Sequence, residues 1–184
     1  MARERFIYHA KAPHPIPPVE TQTEYIEAGD VTFGVEYRLL DEAIGKANYG
    51  DRLMSEENED RKAPSDRGVT VHIFDNKGGT LIEWIKFDCF DEEPHIHYID
   101  TANRVNDLRG IDVVADGDPL AFALDRIKAR LPQMVVEAGG TDLAGRVDLA
   151  KIDEALPRVT EAAYRARFQV DLEAVHRDAV NIEP

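Results

Sequence analysis

Two runs of alternating side chains joined by a glycine turn constrain this chain more than any other feature. Val69-Thr70-Val71-His72-Ile73-Phe74 comes first, then Asp75-Asn76-Lys77-Gly78-Gly79, then Thr80 through Phe90. Successive side chains of a strand leave opposite faces, so alternation marks a half-buried strand, and the Asn and Gly residues between the runs accept the positive φ of a tight turn. The stretch predicts a β-hairpin. His95-Ile96-His97-Tyr98-Ile99 follows after the acidic link from Asp88 to Pro94, with Ile111-Asp112-Val113-Val114 as its extension. Three successive strands then form a meander. Upstream, the run from Val31 to Leu39 sets Val31, Phe33, Val35, Tyr37 and Leu39 on one face of a further strand.

After Asp116 the period changes. Asp118 supplies an N-cap carboxylate and Pro119 suits the first helical position, while Leu120, Leu124, Ile127 and Leu131 mark one helical face. Pro132 predicts a kink or restart before the Gly139-Gly140 stop, because proline has no N–H for the carbonyl one turn back. A second helix is expected from Asp148, with Pro157 interrupting or capping it. A last segment runs to about His176, with Tyr164, Phe168, Leu172 and Val175 at helical spacing. The predicted fold is α+β: an antiparallel β-meander forming a curved sheet, covered by C-terminal helices.

Two segments stand apart from that pattern. Residues 1–22 contain Pro13, Pro15, Pro17 and Pro18, which fix φ and remove donors, so they are read as an extended Pro-rich N-terminal arm before a single domain over 23–184. The stretch from Asp41 to Arg67 loses all alternation and is read as a flap or an insertion carrying a short helix.

Charge and cysteine content narrow the function classes. A formal charge of -14 repels phosphate backbones, and the densest basic segment, Arg158 to Arg177, is interleaved with Glu161, Asp171 and Glu173. Nucleic acid is not an expected partner. Cys89 is the only cysteine, which points away from a disulfide framework, and no segment approaches the roughly 20 apolar residues of a membrane helix. The expected setting is the cytoplasm, without a membrane partner.

The residues with chemical potential cluster around the third strand. In His95-Ile96-His97 the two imidazoles share one strand face, close enough to hold one metal ion, with Asp88 just upstream and His72 on the first hairpin strand as candidates to complete the shell. Such nitrogen and carboxylate donors suit a divalent transition metal. A His-x-His strand resembles the cupin pattern, but that pattern continues with a nearby glutamate and a distant strand histidine. Here Asp100 follows at shorter spacing and only His176, in a predicted helix, lies downstream, so no cupin assignment follows. The plain alternative is a solvated strand face with acidic neighbours. Alternation places Leu81, Glu83, Ile85, Phe87 and Cys89 on one face, which makes Cys89 a core residue rather than a nucleophile. The same rule puts Trp84 with Ile82, Lys86, Asp88 and Phe90, so Trp84, together with Tyr98, is a candidate wall for a small-molecule pocket.

Two functional readings follow. One is a non-catalytic accessory protein that binds a small ligand or a protein partner and self-associates, as a dimer, through its arm and C-terminal helix. The other is a metal-dependent enzyme acting on a small organic substrate, with His95 and His97 as ligands and the Asp41 to Arg67 segment as a lid. Phosphate-cradling loops and Gly-x-Ser-x-Gly elbows are absent from the sequence.

Overall fold

A computed structural model describes residues 9–11, 15–49 and 65–180. Seven strands form one antiparallel sheet: β1 (His9–Lys11), β2 (Glu24–Ala28), β3 (Val31–Leu40), β4 (Asp66–Lys77), β5 (Thr80–Phe90), β6 (His95–Asp100) and β7 (Val105–Gly110). Their spatial order is β1-β7-β6-β5-β4-β3-β2, so consecutive strands from β2 to β7 are neighbours and form the expected meander. The sheet is open and curved. The first strand, drawn from the Pro-rich region, adds to the edge beside β7 in the register His9 to Arg109. An edge is where a proline-flanked segment can pair, since no second neighbour asks for its donors.

Helices α1 (Glu42–Tyr49), α2 (Pro119–Glu137), α3 (Thr141–Arg146), α4 (Leu149–Phe168) and α5 (Leu172–Val180) complete the described residues. Asp118 caps α2 by accepting the Ala121 N–H at 2.9 Å, with Pro119 in the first turn. Asp148 caps α4 through the N–H groups of Ala150 and Lys151. Leu120, Ile127 and Leu131 of α2, with Ile152 and Val159 of α4, lie against Phe33, Val71, Ile85 and Phe87 of the sheet, all essentially without solvent contact. Burying each such side chain is worth about 1.5–3 kcal/mol.

Both interior prolines are tolerated. Helix α2 continues through Pro132 and α4 through Pro157. The carbonyls they leave unpaired belong to Lys128 and Asp153, which are exposed, so water can take the missing bond while the buried faces hold each helix together. The expected final helix divides instead: α4 ends at Phe168 and α5 begins after Asp171, whose carboxylate accepts the N–H groups of Glu173 and Ala174. Ile111 to Val114 lies beyond the last strand, which ends at Gly110. Of the Asp41 to Arg67 segment, α1 supplies the expected short helix and 50–64 lie outside the described residues.

Residues 15–23 pack on their own chain. Ile16 and Val19 join Ile44 and Ala179 in a small second apolar cluster, and Gln22 donates to the Ala174 carbonyl and the Asp178 carboxylate of α5. The sequence-based boundary at residue 22 therefore falls inside a continuous set of contacts.

Candidate functional site

The face of the sheet turned away from the large helices is also closed to solvent, but it is polar. Along β3 the side chains of Thr32, Glu36 and Arg38 point to it, along β4 Thr70 and His72, along β5 Lys86 and Asp88, and along β6 His97, all with relative exposure below one-tenth. Half-buried sheets ordinarily leave such a face in water, so each of these groups must find a partner within the protein.

A β-bulge helps to supply one. Ile73 pairs with Ile85 but Phe74 pairs with Glu83, which leaves Trp84 as the extra residue of β5. Before the bulge the alternation inverts, so Glu83 joins the polar face and its carboxylate lies 2.5 Å from His72 Nδ1. Trp84 turns instead to the helix-covered side, where a β carbon at Gly140 would come within 3.0 Å of its ring. The sequence-based face assignments of Glu83 and Trp84 are thus both reversed, by one inserted residue that strict alternation does not anticipate. Tyr98 also lies on the helix side, beneath the Arg109 guanidinium at 4.3 Å from its ring centroid. A cleft at the end of the sheet is walled by Tyr37, Phe90 and Phe168 among others, and neither Trp84 nor Tyr98 lines it.

At one end of the polar face His72 is held between two carboxylates, Glu83 at Nδ1 and Glu36 at Nε2, the latter at 2.8 Å. Arg38 donates from Nε to Glu36 at 2.6 Å and from its terminal nitrogens to the carbonyls of Ile16 and Pro17. Val19 N–H and Thr23 Oγ1 donate to the other Glu36 oxygen. Burial opposes charge on Glu36, but Arg38 and His72 outweigh it and hold its pKa at about 2. For His72 burial alone would lower the pKa, and the flanking Glu83 and Glu36 raise it, so the ring carries its positive charge between them.

At the other end Asp88, His95 and His97 converge. Asp88 faces His95 and Lys86 faces His97 across the β5–β6 register. The separations are 3.0 Å from His97 Nε2 to Asp88 Oδ2, 3.1 Å between the two Nε2 atoms, and 3.4 Å from His95 Nε2 to Asp88 Oδ2. Three donors each about 2.1 Å from a common ion lie about 3.0 Å apart at right angles and about 3.4 Å apart at tetrahedral angles. The observed triangle spans that interval.

The opposite ring nitrogens fix which lone pairs converge. His95 Nδ1 lies 2.7 Å from the Glu93 carbonyl, which only accepts, so Nδ1 holds the hydrogen. His97 Nδ1 lies 2.9 Å from the Asn106 side-chain oxygen and donates in the same way. Metal-ligating histidines are commonly oriented by an outer hydrogen bond of this kind. Thr70 Oγ1 donates to Asp88 Oδ1 at 2.6 Å and leaves Oδ2 for the imidazoles.

The three groups are shifted in different directions by burial and by one another. Burial would push Asp88 up, yet Lys86, His95 and His97 hold its carboxyl well below the usual range. Burial and the nearby Lys86 ammonium push His97 down to about 4, leaving its Nε2 unprotonated at neutral pH. His95 is raised, because its hydrogen bond to Asp88 outweighs burial. One proton can bridge only two of the three atoms, whereas an ion satisfies all three.

His72, the remaining predicted ligand, shares the face but has both ring nitrogens engaged by Glu36 and Glu83, away from the triad. Cys89 is buried on the helix side, where burial pushes its thiol pKa up and Sγ lies 3.5 Å from the Pro119 carbonyl, as expected of a core cysteine. Asp91, Glu92 and Glu93 stay exposed. Sequence reasoning missed Glu36, Arg38, Glu83 and Lys86. For Glu36, Arg38 and Lys86, though not for Glu83, the one available signal was polar residues two apart recurring on neighbouring strands: Glu36 and Arg38, Thr70 and His72, Lys86 and Asp88, His95 and His97.

An antiparallel sheet roofed by helices on one side and gathering two histidines and a carboxylate on the other defines an α+β domain with a candidate metal centre. Within that class the chain belongs to the family described as Domain of unknown function (DUF7700), whose family model matches residues 25–163. The match includes the triad and both large helical faces but stops short of α5 and of the 15–23 segment. No curated protein and no solved structure matches the chain. Among the described residues no helix is long and apolar enough to cross a membrane.

Proposed function

We propose that this protein is metal-dependent, with a divalent transition ion held by Asp88 Oδ2, His95 Nε2 and His97 Nε2. The observation that carries the reading is the triangle of donor atoms, 3.0 to 3.4 Å on each side, with both imidazoles oriented from behind by acceptors. Zinc, iron and manganese all accept two imidazoles and one carboxylate. Three protein ligands of this kind are typical of centres at which an ion polarises a carbonyl or activates water, and this favours an enzyme acting on a small organic substrate. Metal analysis of untagged protein tests it. One equivalent of transition metal in the wild type and none in the folded His95→Ala/His97→Ala variant is the expected result, and equal metal in both would remove the proposal.

A second reading, binding of a small ligand or protein partner without catalysis, is favoured by a cleft of about 400 Å³ at the end of the sheet. Its rim includes Phe168, which is 74% exposed. Self-association through the exposed Phe168 on this rim would place the protein among dimeric accessory proteins, and light scattering of wild type against Phe168→Ser tests it. A monomer in both would count against it.

A further inference from the structure

The cleft at the end of the sheet, on the opposite side from the triad, brings together aromatic surface and both signs of charge. Tyr37, Phe90 and Phe168 supply the first. Arg67 and Arg167, with Asp91 and Glu92, supply the second. Its volume of about 400 Å³ admits a small molecule, and pockets that take one ordinarily combine an apolar wall with a few placed polar groups.

The two guanidinium groups differ. Arg167 is held by Asp118 at 2.8 Å, with most of both side chains covered. Arg67 meets Asp91 only at 3.4 Å, through Nε, and more than half of each side chain is in solvent. A pair so long and exposed adds little to stability, so both members are open to a charged solute that enters the cleft they line. Burial raises the Tyr37 hydroxyl, which therefore keeps its proton, and the charges of Arg67, Asp91 and Arg167 all act on it. The phenol thus stands near the same groups as a further donor.

We infer that the cleft binds a free α-amino acid with a large apolar side chain, its carboxylate on Arg67, its ammonium on Asp91 and its side chain against Tyr37 and Phe168. This names the ligand of the small-ligand reading above and rests on that reading. An α-amino acid carries its two charges one carbon apart, and Arg67 with Asp91 offers the opposite charges side by side, so the two dipoles lie head to tail. A simple anion would enter against Asp91, Glu92 and the field of a chain of formal charge -14. A simple cation would meet two guanidinium groups. A zwitterion meets each sign with its opposite, and the aromatic faces give its side chain apolar contact.

Calorimetric titration of the full chain with L-phenylalanine tests this, in EDTA so that no metal contributes. The expected result is binding of one equivalent, with 3-phenylpropionate and 2-phenylethylamine, which each lack one of the two charges, weaker by about tenfold or more, the loss of one charged hydrogen bond. Arg67→Gln and Asp91→Asn, both at exposed side chains, should each weaken phenylalanine by a similar factor. Either analogue binding as tightly as phenylalanine would overturn the inference and leave a small-ligand cleft standing. Unchanged phenylalanine affinity in both variants would also overturn it, since the ligand would then lie elsewhere. Binding of none of the three compounds would remove the inference and the small-ligand reading together. The comparison of analogues uses the wild type, so it decides the matter even where a variant fails to fold.

Discussion

The two faces of one sheet are both closed to solvent here, and they are closed by opposite means. On the helix side Phe33, Val71, Ile85 and Phe87 meet the apolar stripes of α2 and α4, a non-directional arrangement in which shape decides the last few kcal/mol. On the other side Glu36, Arg38, His72, Lys86 and Asp88 are buried to a similar degree but held by directed bonds between opposite charges. A buried ionic face is weak evidence for stability, since an apolar replacement of the same shape often serves as well. On that same face Asp88, His95 and His97 converge in an arrangement that could hold a metal ion.

The contrast can be broken most forcefully on each face in turn. On the apolar side Phe87→Ala should lower unfolding stability by about 3–5 kcal/mol, and Phe87→Leu by much less, because only a cavity is at stake. Urea denaturation followed by circular dichroism measures both. On the polar side even the isosteric Glu36→Gln should cost about 3–5 kcal/mol, since it leaves Arg38 and the His72 imidazolium without their shared anion. If Glu36→Gln proves as mild as Phe87→Leu, the directed account of this face is wrong.

A smaller effect should appear in pH. His72 is raised in the folded state, so its contribution is present below the unfolded value of about 6.5 and is lost as pH rises through the raised one. Glu36 and Glu83 are lowered, so theirs is present above the ordinary value of 4.5 and is lost as pH falls, for Glu36 toward about 2. Thermal melts should therefore show the polar face contributing most between about pH 4.5 and 6.5, with the alkaline decline reduced in His72→Asn. An identical profile in that variant would show that His72 does not carry the dependence. Smallest of all, Arg165→Ala removes only exposed pairs with Glu24 and Glu161 and should change stability by less than about 1 kcal/mol in the same melts.

What could be read from the chain divides along the same line. The meander, the helix caps at Asp118 and Asp148, and the pairing of His95 with His97 are local, and they follow from period and end chemistry. Asp88 was legible as a candidate, beside His72, because it lies just upstream of His95-Ile96-His97, and the strand register then sets it opposite His95. Glu83 was not, because a bulge at Trp84 inverts the face of everything before it. Glu36 and Arg38 were not, because the alternation in β3 marked them as solvent-facing, and only tertiary closure of that side by Ile16, Pro17, Val19 and Thr23 makes them interior. Pro132 and Pro157 misled in the other direction, since local breaking signals yielded to helices held by packing along their whole length.

Under the metal reading Asp88, His95 and His97 hold one ion between them. Anomalous diffraction at the metal absorption edge from metal-loaded crystals tests it most directly. One peak is expected, about 2.0–2.2 Å from His95 Nε2, His97 Nε2 and Asp88 Oδ2. A bound ion located anywhere else, or none at all with the three side chains as described, would contradict it.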